Sequence, residues 1–219
     1  GYVATYLERD LRNLSAITDL PDFLRLLRLA VLRSGQLVNI DGLARDAGLA
    51  SSTARRWLNL LEVSCQTVPL PAYATSRSKR LIKSPKLYPT DSGLACYLCG
   101  ISKAAGLESS AQLGPLFEGY VLQHLAAFAA LLPVRADLLY WRTTGGEEVD
   151  FVVETPNRLL PIEVKASRTL GKRDLRGLKA FLGEYPDGAP FGIVLYAGQE
   201  WLRPARNVIA IPWSALFAS

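Results

Sequence analysis

Glu147-Glu148-Val149-Asp150-Phe151-Val152-Val153-Glu154, Thr155-Pro156-Asn157-Arg158 and Leu159-Leu160-Pro161-Ile162-Glu163-Val164-Lys165-Ala166 run consecutively and decide the fold. The first and last blocks read as strands and the middle block as a hairpin turn. Period-two alternation puts Val149, Phe151 and Val153 on one face of the first strand, with Glu148 and Asp150 on the other. In the second strand Leu160, Ile162, Val164 and Ala166 point inward, and Glu163 and Lys165 share the opposite face. The turn is short, so Asp150 and Glu163 can be neighbours. Two adjacent carboxylates repel unless a cation lies between them, and hard oxygen donors suit Mg²⁺ or Mn²⁺. The expected metal ligands are therefore Asp150, Glu163 and the backbone carbonyl of Val164. A neighbouring Lys165 can orient or deprotonate a water and stabilise charge on a phosphate oxygen. The plainer alternative is a solvated strand face with a Lys–Glu pair, because Glu-x-Lys alone is common.

The flanking sequence extends the pattern. Residues 114–131 predict a helix carrying Glu118 in its first turns, and Asp137–Arg142 a strand. A basic helix is expected over Lys172–Gly183 and a buried strand over Phe191–Tyr196. The order is α-β-β-β-α-β, an α/β layout.

The first half reads differently. Residues 2–14 predict an amphipathic helix, and Pro21-Asp22 open another that buries Phe23, Leu26, Leu27, Ala30 and Val31. Asn39 is expected to cap a short helix over Ile40–Ala47, with Gly48 as the turn. Ser51 is expected to cap a longer one through Val63, with Ala54, Trp57, Leu58 and Leu61 inward. Its other face carries Ser52, Thr53, Arg55, Arg56 and Asn59. A short helix, a glycine turn and a longer helix with polar residues near its start form a helix-turn-helix pattern. Gln66–Leu70 then predicts a strand, Thr75–Lys79 a loop and Arg80–Leu87 a returning strand, together a hairpin wing. DNA contacts are expected from the polar helix face and from Arg77, Lys79, Arg80 and Lys83 on the wing. Winged helices also serve as protein adaptors, so that alternative stays open.

Charge supports the division. Residues 51–86 carry seven basic residues and one acid, whereas the other residues are balanced to within one charge, for a net +5 over 219 residues. A concentrated basic block is the footprint of a phosphate-binding surface. At 49% apolar and 21% charged, the composition is globular. No apolar run reaches the roughly 18 residues of a membrane span; Val121–Val134 is short and holds Gln123 and His124. Three cysteines, Cys65, Cys96 and Cys99, argue against a disulfide scaffold and fit a reducing cytoplasm. No second ligand pair accompanies the Cys96/Cys99 pair, so these thiols are expected to be small packed residues. The absence of Met predicts a fragment of a longer protein.

The Asp150…Glu163-Val164-Lys165 arrangement, with Glu118 on the preceding helix, resembles the PD-(D/E)xK restriction-endonuclease-like superfamily. That resemblance implies catalytic roles for Glu118, Asp150, Glu163 and Lys165. Longer strings carry a second resemblance: Tyr6-Leu7-Glu8-Arg9-Asp10, Ser84-Pro85-Lys86-Leu87-Tyr88-Pro89-Thr90-Asp91-Ser92-Gly93-Leu94, Leu116-Phe117-Glu118-Gly119-Tyr120-Val121, Tyr140-Trp141-Arg142 and Pro161-Ile162-Glu163-Val164-Lys165-Ala166-Ser167. In this order they look like the C-terminal domain of unknown function of prokaryotic AAA+-type ATPases. This implies a winged-helix domain over residues 1–100 and a nuclease-like domain over 101–219. It also implies an N-terminal ATPase module as partner, and that module alone would bind ATP, since the chain has no G-x-x-x-x-G-K-[ST]. Two functions follow as expectations. One is a Mg²⁺-dependent DNA phosphodiesterase. The other is a non-cleaving DNA-binding or protein-interaction module with an inactive nuclease fold. Both are compatible with an oligomer.

Overall fold

The computed structural model describes residue 17 and residues 19–217, so the helix expected over residues 2–14 lies outside the described residues. The chain is mixed α/β and divides into two units. One comprises residues 1–69 and 86–116, the other residues 70–85 and 117–219. Residues 70–85, read from the sequence with the first domain, thus pack with the second unit.

The first unit is helical. Helix α1 (Leu20–Leu32) starts where Asp19 accepts from the Asp22 amide at 3.0 Å, satisfying one of the free N–H groups of its first turn. It buries Phe23, Leu26, Leu27, Ala30 and Val31, the stripe that 3.6 periodicity dictates. Helix α2 (Ile40–Ala47) is capped by Asn39, which accepts from the Gly42 amide at 2.9 Å. It ends at Gly48, whose φ of 71° is the left-handed conformation a side chain would strain. Helix α3 (Ser51–Val63) buries Ala54, Trp57, Leu58 and Leu61. Ser51 is not its cap: Ala50 holds that position, and the Ser51 hydroxyl instead donates to Asp41 at 2.6 Å. The Phe23 and Trp57 rings meet edge to face at 5.6 Å. Complete burial of either ring contributes roughly 2–3 kcal/mol, which is why this trio holds together. Helices α5 (Ser92–Leu98) and α6 (Ala104–Glu108) complete the unit. Cys96 and Cys99 pack half-buried against its core, and burial pushes both thiols up from their ordinary value.

The basic segment departs from the expected hairpin wing. Strands β1 (Thr67–Leu70) and β2 (Lys86–Pro89) do pair in a two-stranded sheet. The residues between them, however, form a helix, α4 (Arg77–Ile82), where a loop and a returning strand were expected. The cause is Arg80. Its Nε donates to the Ala74 carbonyl at 2.6 Å, and both terminal nitrogens bind Glu154, one of them at 2.8 Å. Its guanidinium also lies 4.9 Å from the Tyr73 ring centre. Those anchors require a turn of helix rather than an extended chain. Lys86 is 2% exposed, so one charge of the basic block is inside the fold.

The second unit is built on a six-stranded sheet in the order β3-β4-β5-β6-β8-β7. Its strands are β3 (Asp137–Arg142), β4 (Glu148–Glu154), β5 (Leu159–Lys165), β6 (Gly192–Tyr196), β7 (Leu202–Ala205) and β8 (Val208–Pro212). The chain passes from helix α7 (Leu113–Leu131) through β3, β4 and β5 to a 3₁₀ turn (Lys172–Leu175), helix α8 (Arg176–Glu184) and β6. This is the α-β-β-β-α-β order read from the sequence, extended by β7 and β8. Strands β3, β4 and β5 are antiparallel neighbours, and β5, β6 and β8 run parallel. Residues 71–73 cover the outer side of β3: Ala72 bridges Tyr140, and the Tyr140 amide donates to the Pro71 carbonyl at 2.9 Å. Helix α8 buries Leu178, Phe181 and Leu182 against Trp141, Val149, Val152, Val194 and Tyr196. Gly177 allows this approach, since a Cβ there would lie 1.7 Å from the Glu148 carbonyl oxygen.

Candidate active site

The sheet brings Asp150, Glu163 and Lys165 together by two departures from regularity. Strict alternation along β4 fails at Asp150. Val149 faces Trp141 and Val152 faces Leu139, so three steps along β4 match two along β3. This bulge buries Val152 completely and leaves Val153 half-buried, whereas alternation predicted Val153 inward. Bulges re-aim side chains, and here the re-aimed side chain is Asp150. The β4–β5 ladder ends at Phe151 and Ile162. Beyond it, the Val164 amide donates to the Asp150 carboxylate at 2.8 Å. Asp150 therefore acts as a side-chain cap on the neighbouring strand, fixed beside Val164.

Register with β6 fixes the other two groups. Glu163 stands beside Val194 and Lys165 beside Tyr196, so both side chains lie on the sheet face covered by α8. Lys165 Nζ donates to Glu163 Oε1 at 2.7 Å. The Glu163 residue is only 7% exposed, and its Oε2 is buried with no hydrogen-bond partner among the described residues. Burial pushes the Glu163 carboxyl up to about 8; the Asp150 charge adds to the rise, Lys165 opposes it, and Glu118 on α7 adds a further push. Burial works against the Lys165 charge, but Glu163, Asp150 and Asp174 outweigh it and hold the ammonium above its ordinary range.

The donor set passes a simple fit test for a divalent cation. A buried carboxylate oxygen lacks a partner, a second carboxylate lies beside it, and both are hard oxygens of the kind Mg²⁺ and Mn²⁺ prefer. Among the described residues no three His, Cys, Asp or Glu side chains gather closely enough to hold a metal. Glu118 on α7 adds to the negative field at Glu163. Val164 follows Glu163 in β5, and its amide is held by Asp150.

The expected DNA-contact residues fall into two groups. In the first unit Ser52, Arg55, Arg56 and Asn59 are exposed on α3 and Thr53 is half-buried, opposite the face buried by Ala54, Trp57 and Leu58. In the second unit Lys79 and Lys83 are exposed. Arg80 is a correction: its bonds to Glu154 and Ala74 give it a structural task, and its side chain is 14% exposed. The Arg77 side chain lies outside the described part. The DNA-contact set read from the sequence leaves out Arg168 and the cations Lys172, Arg173 and Lys179 of the expected basic helix, all exposed just beyond Lys165. Residues 164–183 hold six cations and one acid, a local excess that acids elsewhere in 101–219 cancel in the overall count.

Two family models together cover almost all of the chain. Residues 1–105 match a domain of unknown function (DUF8612), and residues 113–216 match another (DUF4143). The chain is 37% identical over 212 residues to an uncharacterized protein of Mycobacterium tuberculosis and, with the same figures, to one of Mycobacterium bovis. Each match covers 97% of this chain and 46% of the relative, so the chain spans about half the length of the curated relatives it matches. No solved structure matches. Among the described residues no helix is long and apolar enough to cross a membrane.

Proposed function

We propose that the second unit is a PD-(D/E)xK-type, divalent-metal-dependent phosphodiester hydrolase acting on DNA. The observation that carries this reading is the buried Glu163 Oε2, which has no hydrogen-bond partner among the described residues, next to the Lys165 bond on Oε1 and within the field of Asp150. Asp150, Glu163 and the Val164 carbonyl would hold Mg²⁺ or Mn²⁺, which when bound supplies a Lewis acid for a phosphoryl oxygen and a more acidic water. Asp150 keeps its carboxylate fixed through the Val164 amide. Lys165 holds a proton at Nζ and, on leaving Glu163, presents it to a non-bridging phosphate oxygen or to the attacking water. Glu118 adds negative potential that favours a bound cation. The helical unit is proposed as a helix-turn-helix module whose α3 face grips the duplex backbone. The proposed working partner is an ATPase module, for which the longer curated relatives leave room.

Nicking of supercoiled and branched DNA with Mg²⁺ or Mn²⁺ tests the reading. Wild type should cleave, and Lys165→Ala and Asp150→Ala should not; cleavage that survives both substitutions refutes the assignment. The exposed α3 cations favour a second reading, because they do not depend on the carboxylates. In it the chain binds DNA without cutting, and the assay would show duplex binding in Ca²⁺ with no nicking in any metal.

A further inference from the structure

The two most exposed large apolar side chains among the described residues are neighbours: Leu81 at 90% and Ile82 at 83%. Both end α4. Isolated exposed aliphatic residues are ordinary, but this pair has unusual surroundings. Residues 63–90 contain no Asp or Glu. Lys79 and Lys83 flank the pair and are exposed, as are Ser78 and Ser84. The opposite side of the same short helix is anchored, through Arg80 to Glu154 and Ala74 and over the Tyr73 ring. A second tie follows the helix, where the Tyr140 hydroxyl donates to the Ser84 carbonyl at 2.6 Å. The tip is therefore held out on a braced base, with apolar side chains at its point and cations beside them.

We propose that α4 is a nucleic-acid wedge. Leu81 and Ile82 enter a base step from the minor groove, and Lys79 and Lys83 bind the flanking phosphates. This inference rests on the DNA reading above and adds to it a preference for deformable or unpaired steps. Charge complementarity selects the partner, since a duplex carries its negative charge outside and its apolar, stackable surface inside. Apolar wedges of Leu and Ile set among basic residues pay for unstacking by the bend they create. A lipid surface fits less well, because interfacial helices bind through a long apolar face, and α4 is six residues with two apolar side chains at its end.

The test uses the 219-residue chain and short duplexes carrying a fluorescent adenine analogue at a central TA step, a mismatch or a stiff matched step. Wild type should brighten the analogue and prefer the mismatched duplex roughly tenfold. Leu81→Ser/Ile82→Ser should erase the preference and weaken binding roughly tenfold without changing the salt slope. Lys79→Gln/Lys83→Gln should keep the preference and lower the slope by about two. Leu81→Met/Ile82→Val should behave as wild type. Unchanged affinity and preference in the serine variant overturn the wedge while leaving DNA binding in place. Absence of any duplex binding by wild type overturns both. Binding to anionic vesicles that needs Leu81 and Ile82, with no duplex preference, overturns nucleic acid as the occupant.

Discussion

Glu163→Gln should stabilise the metal-free protein, and increasingly so as pH rises. Glu163 has an ordinary value of 4.5 and is pushed up to about 8 in the fold, first by burial and then by Asp150. Between those two values the folded state holds a proton that the unfolded state has released. Stability from this group is therefore complete below about pH 4.5, falls as pH rises to about 8, and is flat above. At about 1.4 kcal/mol for each tenfold change in proton affinity, the loss between pH 5 and pH 8.5 is at most on the order of 4 kcal/mol. Water reaching the Lys165 side chain, which is 28% exposed, should make the measured loss smaller than this bound. The glutamine amide can still accept from Lys165 and has no charge to bury. Urea unfolding in EDTA, followed by tryptophan emission at several pH values, measures the difference; Trp141, Trp201 and Trp213 of the four tryptophans report the second unit. Glu147, lowered to about 2 by Arg176 and Thr143, titrates below this window and does not confuse it. Added Mg²⁺ should flatten the wild-type slope and leave the variant unmoved. An equal pH slope in wild type and Glu163→Gln would refute the reasoning, because the titrating group would then lie elsewhere.

Other consequences are more local. Gly177→Ala drives a methyl into the Glu148 carbonyl, so helix α8 must shift; a loss of about 1–3 kcal/mol in unfolding free energy is expected. Arg80→Ala should cost roughly 1.5–3 kcal/mol of local stability, seen as faster hydrogen exchange over residues 71–85 with the first unit unaffected. Asn39→Ala removes the cap on the Gly42 amide and should cost about 1 kcal/mol, read by thermal unfolding of the first unit. Arg55→Ala/Arg56→Ala should lower the salt dependence of duplex binding by about two in slope; an unchanged slope would remove α3 from the phosphate contacts.

Much of the second unit was legible because its signals are local. Strands β3, β4 and β5 fall within a residue of their expected bounds, since alternation and the Thr155–Arg158 turn are written in adjacent residues. The Asn39 cap and Gly48 stop were legible for the same reason. What escaped the sequence depends on distant partners. The bulge that turns Asp150 is imposed by pairing with β3. Helix α4 depends on Glu154, 74 residues from Arg80 in sequence. Strands β7 and β8 are short and one contains Pro204, so alternation had little length in which to appear. Lys86 reads as a surface cation because nothing nearby announces that β2 is buried on every residue. The candidate quartet of Glu118, Asp150, Glu163 and Lys165 was named from the sequence, whereas the hydrogen bond from Val164 and the Glu163 oxygen that has no partner among the described residues depend on the fold.

Packing alone is a poor account of that quartet. A sheet that needed only stability would finish the β4–β5 ladder with backbone pairs and place an aliphatic residue at position 163, since an unsatisfied buried carboxylate is costly. Here the β4–β5 ladder ends at Phe151 and Ile162, β4 carries a bulge beside Asp150, and the Asp150 carboxylate accepts from the Val164 amide. Among the described residues Glu163 then buries one oxygen without a donor, although Lys165, a long and flexible side chain, binds the other. Each irregularity alone has an ordinary explanation. Their convergence on Asp150, Glu163 and Val164 is the observation that the proposed cation site has to explain.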